Sequence, residues 1–229
     1  MNPAPAGVVV DLDDTIFPQS SYLYGASRAV GRAGAVLAGL DPVRLSRLVR
    51  RQLVAGSDRG GTIDRALGDY GLDADEATGL VPALVAAFTT YRPRRLPAYP
   101  GALTALAALA ERFPVACLTD GNPVIQRAKL AATGLTGFFT AVVITDELGG
   151  RTHRKPHPSG LLHAAQALGA DPADLVVIGD RPAKDTAVAA SLGARSIRVC
   201  TGEYADVPDD PAATVVAADL PAAAALLIS

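Results

Sequence analysis

Four stretches of the 229-residue chain set acids, a hydroxyl or a lysine at the ends of short apolar runs. Gly7-Val8-Val9-Val10 leads into Asp11-Leu12-Asp13-Asp14-Thr15, and Leu118 leads into Thr119-Asp120-Gly121-Asn122. The loop after Ala141-Val142-Val143-Ile144 ends at Lys155-Pro156. Leu175-Val176-Val177-Ile178 leads into Gly179-Asp180, with Asp185 five residues on. Converging carboxylates repel one another unless a cation neutralises them. A set made only of oxygens selects a hard ion, for which Mg2+ is the natural choice. Such an ion bridges carboxylates to a phosphate, whose other oxygens suit a hydroxyl, glycine-flanked amides and a lysine. Asp11 is then a candidate nucleophile, because carboxylates form aspartyl-phosphate intermediates. Asp13 is a candidate acid for the leaving alkoxide and a base for water.

These groups need a frame that brings them together. The β-branched runs at 7–11, 114–119, 141–144, 175–178 and 196–200 suit strands buried on both faces. Helical patterns at 122–132, 158–168 and 183–192 separate the last four. Alternating strands and helices predict βαβ units, a parallel sheet and right-handed crossovers. Parallel sheets hold ligands at the carboxyl ends of their strands, where the acids, Thr119 and Lys155 stand. Val215 and Val216 suggest an edge strand, and 220–228 a closing helix. The region 18–97 breaks the rhythm. Asp41-Pro42, Thr62 and Asp73 read as helix starts there. Leu45, Leu48, Val49 and Leu53, then Leu80, Leu84, Val85 and Phe88, follow helical spacing. The expected fold is α/β: a Rossmann-like three-layer core with a parallel sheet, over 1–17 and 98–229, plus an inserted α-helical domain over 18–97.

Charge and composition exclude several classes. Lys+Arg number 21 and Asp+Glu 23, a net charge of -2, which gives no basic excess for a nucleic-acid partner. Two cysteines, Cys117 and Cys200, cannot build a disulfide framework and read as core thiols. His153, His157 and His163 match no zinc spacing and read as surface residues. No run approaches the ~18 uncharged apolar residues of a membrane span. Residues 1–7 lack the pattern of a secretion signal, so the expected location is cytoplasmic, with no membrane partner. Of the three lysines, Lys129 and Lys184 read as surface residues. Lys155 reads as a compact charge beside phosphate. Asp14 reads as a structural turn residue, Asp146 and Glu147 as a solvated turn. Asn122 serves equally well as a helix cap or a ligand.

Four motifs in order, each at a strand end, resemble the haloacid dehalogenase superfamily, in its phosphatase branch. They are Asp11-Leu12-Asp13-Asp14-Thr15, Thr119 with Asp120-Gly121, Lys155-Pro156, and Asp180 with Asp185. The second departs from the family pattern, which has Asn-Gly after the hydroxyl residue. The resemblance implies that the inserted helices are a C1 cap that closes over the site and selects the leaving group. It implies that Asp11 attacks phosphorus and ligates Mg2+, and that Asp13 is the acid/base and gives its carbonyl to the ion. Asp180 and Asp185 complete the metal site. Thr119, the Asp120 amide, Gly121 and Lys155 hold the phosphoryl group, while Thr15 orients the loop. The implied activity is Mg2+-dependent hydrolysis of a small phosphorylated metabolite. Asp13 argues against a dehalogenase, since that branch lacks the second aspartate. A phosphomutase stays open, and the motif order disfavours a phospho-accepting signalling module. Sugar phosphates, nucleoside monophosphates and phosphoglycolate-like acids all remain possible substrates. The stretch 119–134, T-D-G-N-P-x-x-Q-R-x-K-L-x-x-T-G, resembles small phosphatases of the same superfamily.

Overall fold

The computed structural model describes residues 4–57, 59–135 and 137–229. The chain forms two compact units, one of Ser20–Arg94 and one of Arg95–Ser229 together with the residues up to Gln19. Strand β1 (Gly7–Val10) is followed by four helices: α1 (Gln19–Ala38), α2 (Pro42–Val54), α3 (Thr62–Tyr70) and α4 (Ala74–Thr89). Then come α5 (Ala102–Arg112), β2 (Val115–Thr119), α6 (Pro123–Thr133), β3 (Ala141–Ile144) and α7 (Asp146–Gly149). The chain closes with α8 (Ser159–Leu168), β4 (Leu175–Gly179), α9 (Ala187–Ser191), β5 (Arg195–Val199), β6 (Val215–Ala217) and α10 (Leu220–Ile228).

The six strands form one parallel sheet in the order β3-β2-β1-β4-β5-β6. All four residues of β1 and all five of β2 and β4 are buried, as strands covered on both faces must be. Val9, Leu118, Val177 and the helix residues Leu161, Ala164 and Val188 share one apolar cluster. The chain runs outward from β1 through β2 to β3, then returns to β4 on the other side. The acids after β1 and β4 thus flank the point where the strand order reverses, the usual crevice for a ligand.

The helical unit has its own core, in which Val30, Leu45, Val49, Ile63, Leu67 and Leu84 pack together. Asp41 caps α2, its carboxylate accepting from the amides of Val43 at 2.8 Å and Arg44 at 3.0 Å. Asp73 and Glu76 form a reciprocal capping box at the start of α4. The expected cap at Thr62 is corrected: Gly61, with φ of 58°, takes that position and Thr62 lies inside α3. Asp146 and Glu147 are also not a free turn. They open α7, where Asp146 pairs with Arg154 at 2.7 Å and Glu147 with Arg127 at 2.6 Å. Helix α5 was not among the predicted elements. The 183–192 segment divides into a π-helical turn, Pro182–Thr186, followed by α9.

Candidate active site

The end of β1 continues into the site: the Asp11 amide donates to the Ile178 carbonyl at 2.9 Å, carrying the β1–β4 ladder one residue further. Three residues on, Asp14 has φ of 56° and takes the structural role read from the sequence. Its carboxylate accepts from the amides of Gln19 at 2.8 Å and Glu203 at 3.3 Å. The Thr201 hydroxyl donates to its carbonyl. The loop after β5 therefore grips the loop after β1. Buried Arg198 fastens that loop by donating to the carbonyls of Tyr204 at 3.0 Å and Val207 at 2.7 Å.

Asp11, Asp180 and Asp185 are all buried, and each offers an oxygen within 4.8 Å of the others. Asp180 follows β4 directly. Asp185 is turned back to it by the π-helical turn, where the Arg181 amide donates to its Oδ2 at 3.0 Å. Gly179 makes this approach possible, because a Cβ there would lie 2.2 Å from the Asp185 Cγ. The Thr15 hydroxyl reaches Asp180 Oδ1 at 3.5 Å, while Asp180 Oδ2 is buried with no hydrogen-bond partner. Burial pushes the Asp11 carboxyl up to about 7, with Lys155 opposing and Asp185 reinforcing the shift. Burial, then the charges of Asp11 and Asp185, hold Asp180 well above the ordinary carboxylate range. Three convergent carboxylates, one with an orphaned oxygen, fit an oxygen-ligated divalent cation.

Lys155 lies against this cluster. Its Nζ is 2.6 Å from Asp11 Oδ1, 2.6 Å from Asp185 Oδ1 and 3.1 Å from the Leu118 carbonyl. Burial works against its charge, but Asp11, Asp185 and Asp120 outweigh it and raise Lys155 well above its usual value.

On the β2 side, Asn122 caps α6 through the Val124 amide at 2.9 Å. Thr119 is buried at the strand end and its hydroxyl accepts from Gln126 Nε2. The same amide group donates to Asp13 Oδ2 at 3.0 Å. The Asp13 carboxylate thus faces α6 and lies outside the three-carboxylate cluster. Gly121 has φ of 125°, a conformation suited to glycine. The Asp120 carboxylate accepts from the Lys155 amide and the Thr145 hydroxyl, and pairs with Lys184 at 3.0 Å.

Two lysine expectations are corrected. Lys129 is only 3% exposed and bonds Asp13, its Nζ 2.7 Å from both carboxylate oxygens. Lys184 is not a free surface residue but pairs with Asp120 at 3.0 Å. Gln126 and Lys129 were missed as site residues. Their signal was the Q-x-x-K spacing inside 119–134, which aims both side chains from one helix face. The Lys184 pairing had no local signal, because it joins loops 64 residues apart.

A family model described as haloacid dehalogenase-like hydrolase matches residues 5–193. The chain belongs to the haloacid dehalogenase-like hydrolase family. Within it, the chain is 34% identical over 206 residues to a glyceraldehyde 3-phosphate phosphatase of Methanopyrus kandleri, covering 87% of this chain and 86% of the relative. It is 33% identical over 201 residues to a phosphoglycolate phosphatase of Rhodospirillum rubrum, covering 82% and 77%. A solved structure of the HAD-hydrolase YfnB from Bacillus subtilis, bound to magnesium, superposes with a TM-score of 0.73 over 98% of this chain and 99% of that one. At 18% identity that likeness shows the shared fold alone. Among the described residues, no helix of this hydrolase is long and apolar enough to cross a membrane.

Proposed function

We propose that the protein is a Mg2+-dependent phosphatase that cleaves a small phosphomonoester through an aspartyl-phosphate on Asp11. The observation that carries this reading is the convergence of Asp11, Asp180 and Asp185, with Lys155 seated on Asp11. Asp11, Asp180, Asp185 and the carbonyl of Asp13 would hold the ion. A bound Mg2+ polarises the phosphoryl oxygens and offsets the repulsion between phosphate and carboxylate.

Asp11 bonds to phosphorus as the ester P–O bond breaks, and the leaving oxygen keeps that electron pair and takes a proton from Asp13. Water then bonds to phosphorus, giving its proton to the Asp13 carboxylate as the Asp11–phosphorus bond breaks and phosphate departs. Lys155 neutralises the phosphoryl group. Thr119, the Asp120 amide and Gly121 cradle its oxygens. Because the Thr119 hydroxyl accepts from Gln126, its own proton is left for a phosphoryl oxygen. The helical unit, Ser20–Arg94, serves as the cap that selects the leaving group. The named relatives favour three-carbon and two-carbon phosphates as the first substrates to try.

The test is phosphate release from glyceraldehyde 3-phosphate, phosphoglycolate and p-nitrophenyl phosphate with Mg2+. Activity should vanish with EDTA and in Asp11→Asn. Folded wild-type protein that releases no phosphate from any of them would end the reading.

A further inference from the structure

The buried contact between α6 and Asp13 has no place in the scheme above, which uses Asp13 alone. Gln126 and Lys129 are three residues apart on α6, so both project from one face. Lys129 Nζ lies 2.7 Å from Asp13 Oδ1 and 2.7 Å from Oδ2, and Gln126 Nε2 adds a second donor to Oδ2 at 3.0 Å. The Lys129 side chain is 4% exposed and that of Asp13 is 17% exposed.

A buried ammonium–carboxylate pair is weak evidence for stability, because packed apolar groups in place of both partners often serve a fold as well. What the lysine supplies that an apolar residue cannot is a fixed carboxylate. Both Asp13 oxygens are held from one side by a helix rather than by their own loop. The plane of the carboxylate and the direction of its remaining lone pairs follow from α6. Proton transfer to a leaving oxygen depends on that alignment.

On the phosphatase reading above, we propose that Lys129 is a positioning residue for the acid/base Asp13. It orients the carboxyl group so that Oδ1, which carries one donor fewer than Oδ2, delivers the proton to the leaving oxygen. The proton passes from Asp13 to that oxygen as the P–O bond breaks, and Lys129 neither gains nor loses one.

A positioning role and a structural role differ in how their loss depends on the leaving group. An alkoxide must be protonated as it departs, whereas p-nitrophenolate leaves without a proton. The experiment compares kcat/KM for glyceraldehyde 3-phosphate and p-nitrophenyl phosphate in wild type and Lys129→Met. The alkyl ester should lose about 100-fold, the general acid share, and the aryl ester less than about tenfold. Lys129→Arg, which restores a cation with paired donors, should recover part of the alkyl loss. Equal losses on the two esters overturn the proposal and leave the phosphatase reading standing. A wild type inactive on both esters overturns both. If Lys129→Met does not fold, the same ratio is read in Lys129→Gln, which keeps a polar side chain and removes the ammonium. A selective alkyl loss there supports the Asp13 clamp and an unchanged ratio overturns it.

Discussion

The two flanks of β1 solve opposite electrostatic problems. On the β4 flank, Asp180 and Asp185 add negative charge beside Asp11, and one Asp180 oxygen is left with no partner. On the β2 flank the carboxylates of Asp13 and Asp120 are met by cations and neutral donors: Lys129 and Gln126 for the first, Lys184, Thr145 and the Lys155 amide for the second. On the function proposed above, the first flank takes a cation from solution, and the other is completed by the chain itself. Lys155 joins them, touching Asp11 and Asp185 through its ammonium and Asp120 through its amide. A half-built flank is where a metal and substrate can enter. A finished flank is where geometry is set beforehand.

The largest test of this contrast is Asp180→Asn. Removing one carboxylate from the incomplete flank should cost activity at least about 1,000-fold, in line with the several kcal/mol a metal supplies to phosphoryl transfer. Stability should move the other way. Without metal, the variant loses the repulsion from Asp11 and Asp185 and should melt at or above wild type. Adding Mg2+ should stabilise the wild type, by about 2.7 kcal/mol at 100 times the dissociation constant, and leave the variant unmoved. Activity within tenfold of wild type in Asp180→Asn would erase the distinction between the flanks.

The same contrast explains what the sequence showed and what it hid. The β4 flank was legible because its acids sit just past a β-branched run, where a hydrophobic strand gives no other reason for them. Thr119 and Asp120 follow a strand in the same way, whereas Lys155 ends the loop after β3 and is read from its Lys-Pro pair. Lys129 was not legible, because a lysine on a helix is usually a solvated residue. Only the third dimension shows that its face of α6 meets Asp13. The division of 183–192 was hidden likewise, since its residues suit an ordinary helix. The π-helical turn answers the need to bring Asp185 back over Gly179. Helix α5 lies in an Ala- and Leu-rich stretch outside the expected elements, although Ala102, Leu106 and Leu109 repeat at helical spacing and are buried.

Lys155→Met probes the joint between the flanks. The substitution keeps the stem and removes the ammonium from two buried carboxylates. Breaking a buried pair costs about 3–5 kcal/mol, because the remaining charge is left uncompensated. In metal-free protein that loss should appear as a lower urea midpoint with an unchanged slope. Mg2+ should restore part of it by replacing the missing positive charge beside Asp11 and Asp185. A loss below about 1 kcal/mol would mean that the two carboxylates do not need the lysine.

The smallest effect should come from Asp120→Asn, on the finished flank. Burial works against the Asp120 charge, yet Lys155 and Lys184 outweigh it and hold the carboxyl below its usual value. A depressed acid contributes stability above its unfolded value of 3.8 and loses it as pH falls through the folded value. Asparagine keeps an oxygen for the Lys155 amide and the Thr145 hydroxyl but gives up the ion pair with Lys184, whose side chain is 14% exposed. The expected cost at pH 7 is therefore about 1.5 kcal/mol, the lower end for a hydrogen bond to a charged group. That gap should narrow as the pH drops below 3.8, because wild-type Asp120 then becomes protonated as well. Phosphate release should stay within about threefold of wild type, since the backbone amide assigned to the phosphoryl group is untouched. Urea titrations at the two pH values read the stability, and a gap that widens in acid would show that the Asp120 charge is a burden rather than a support.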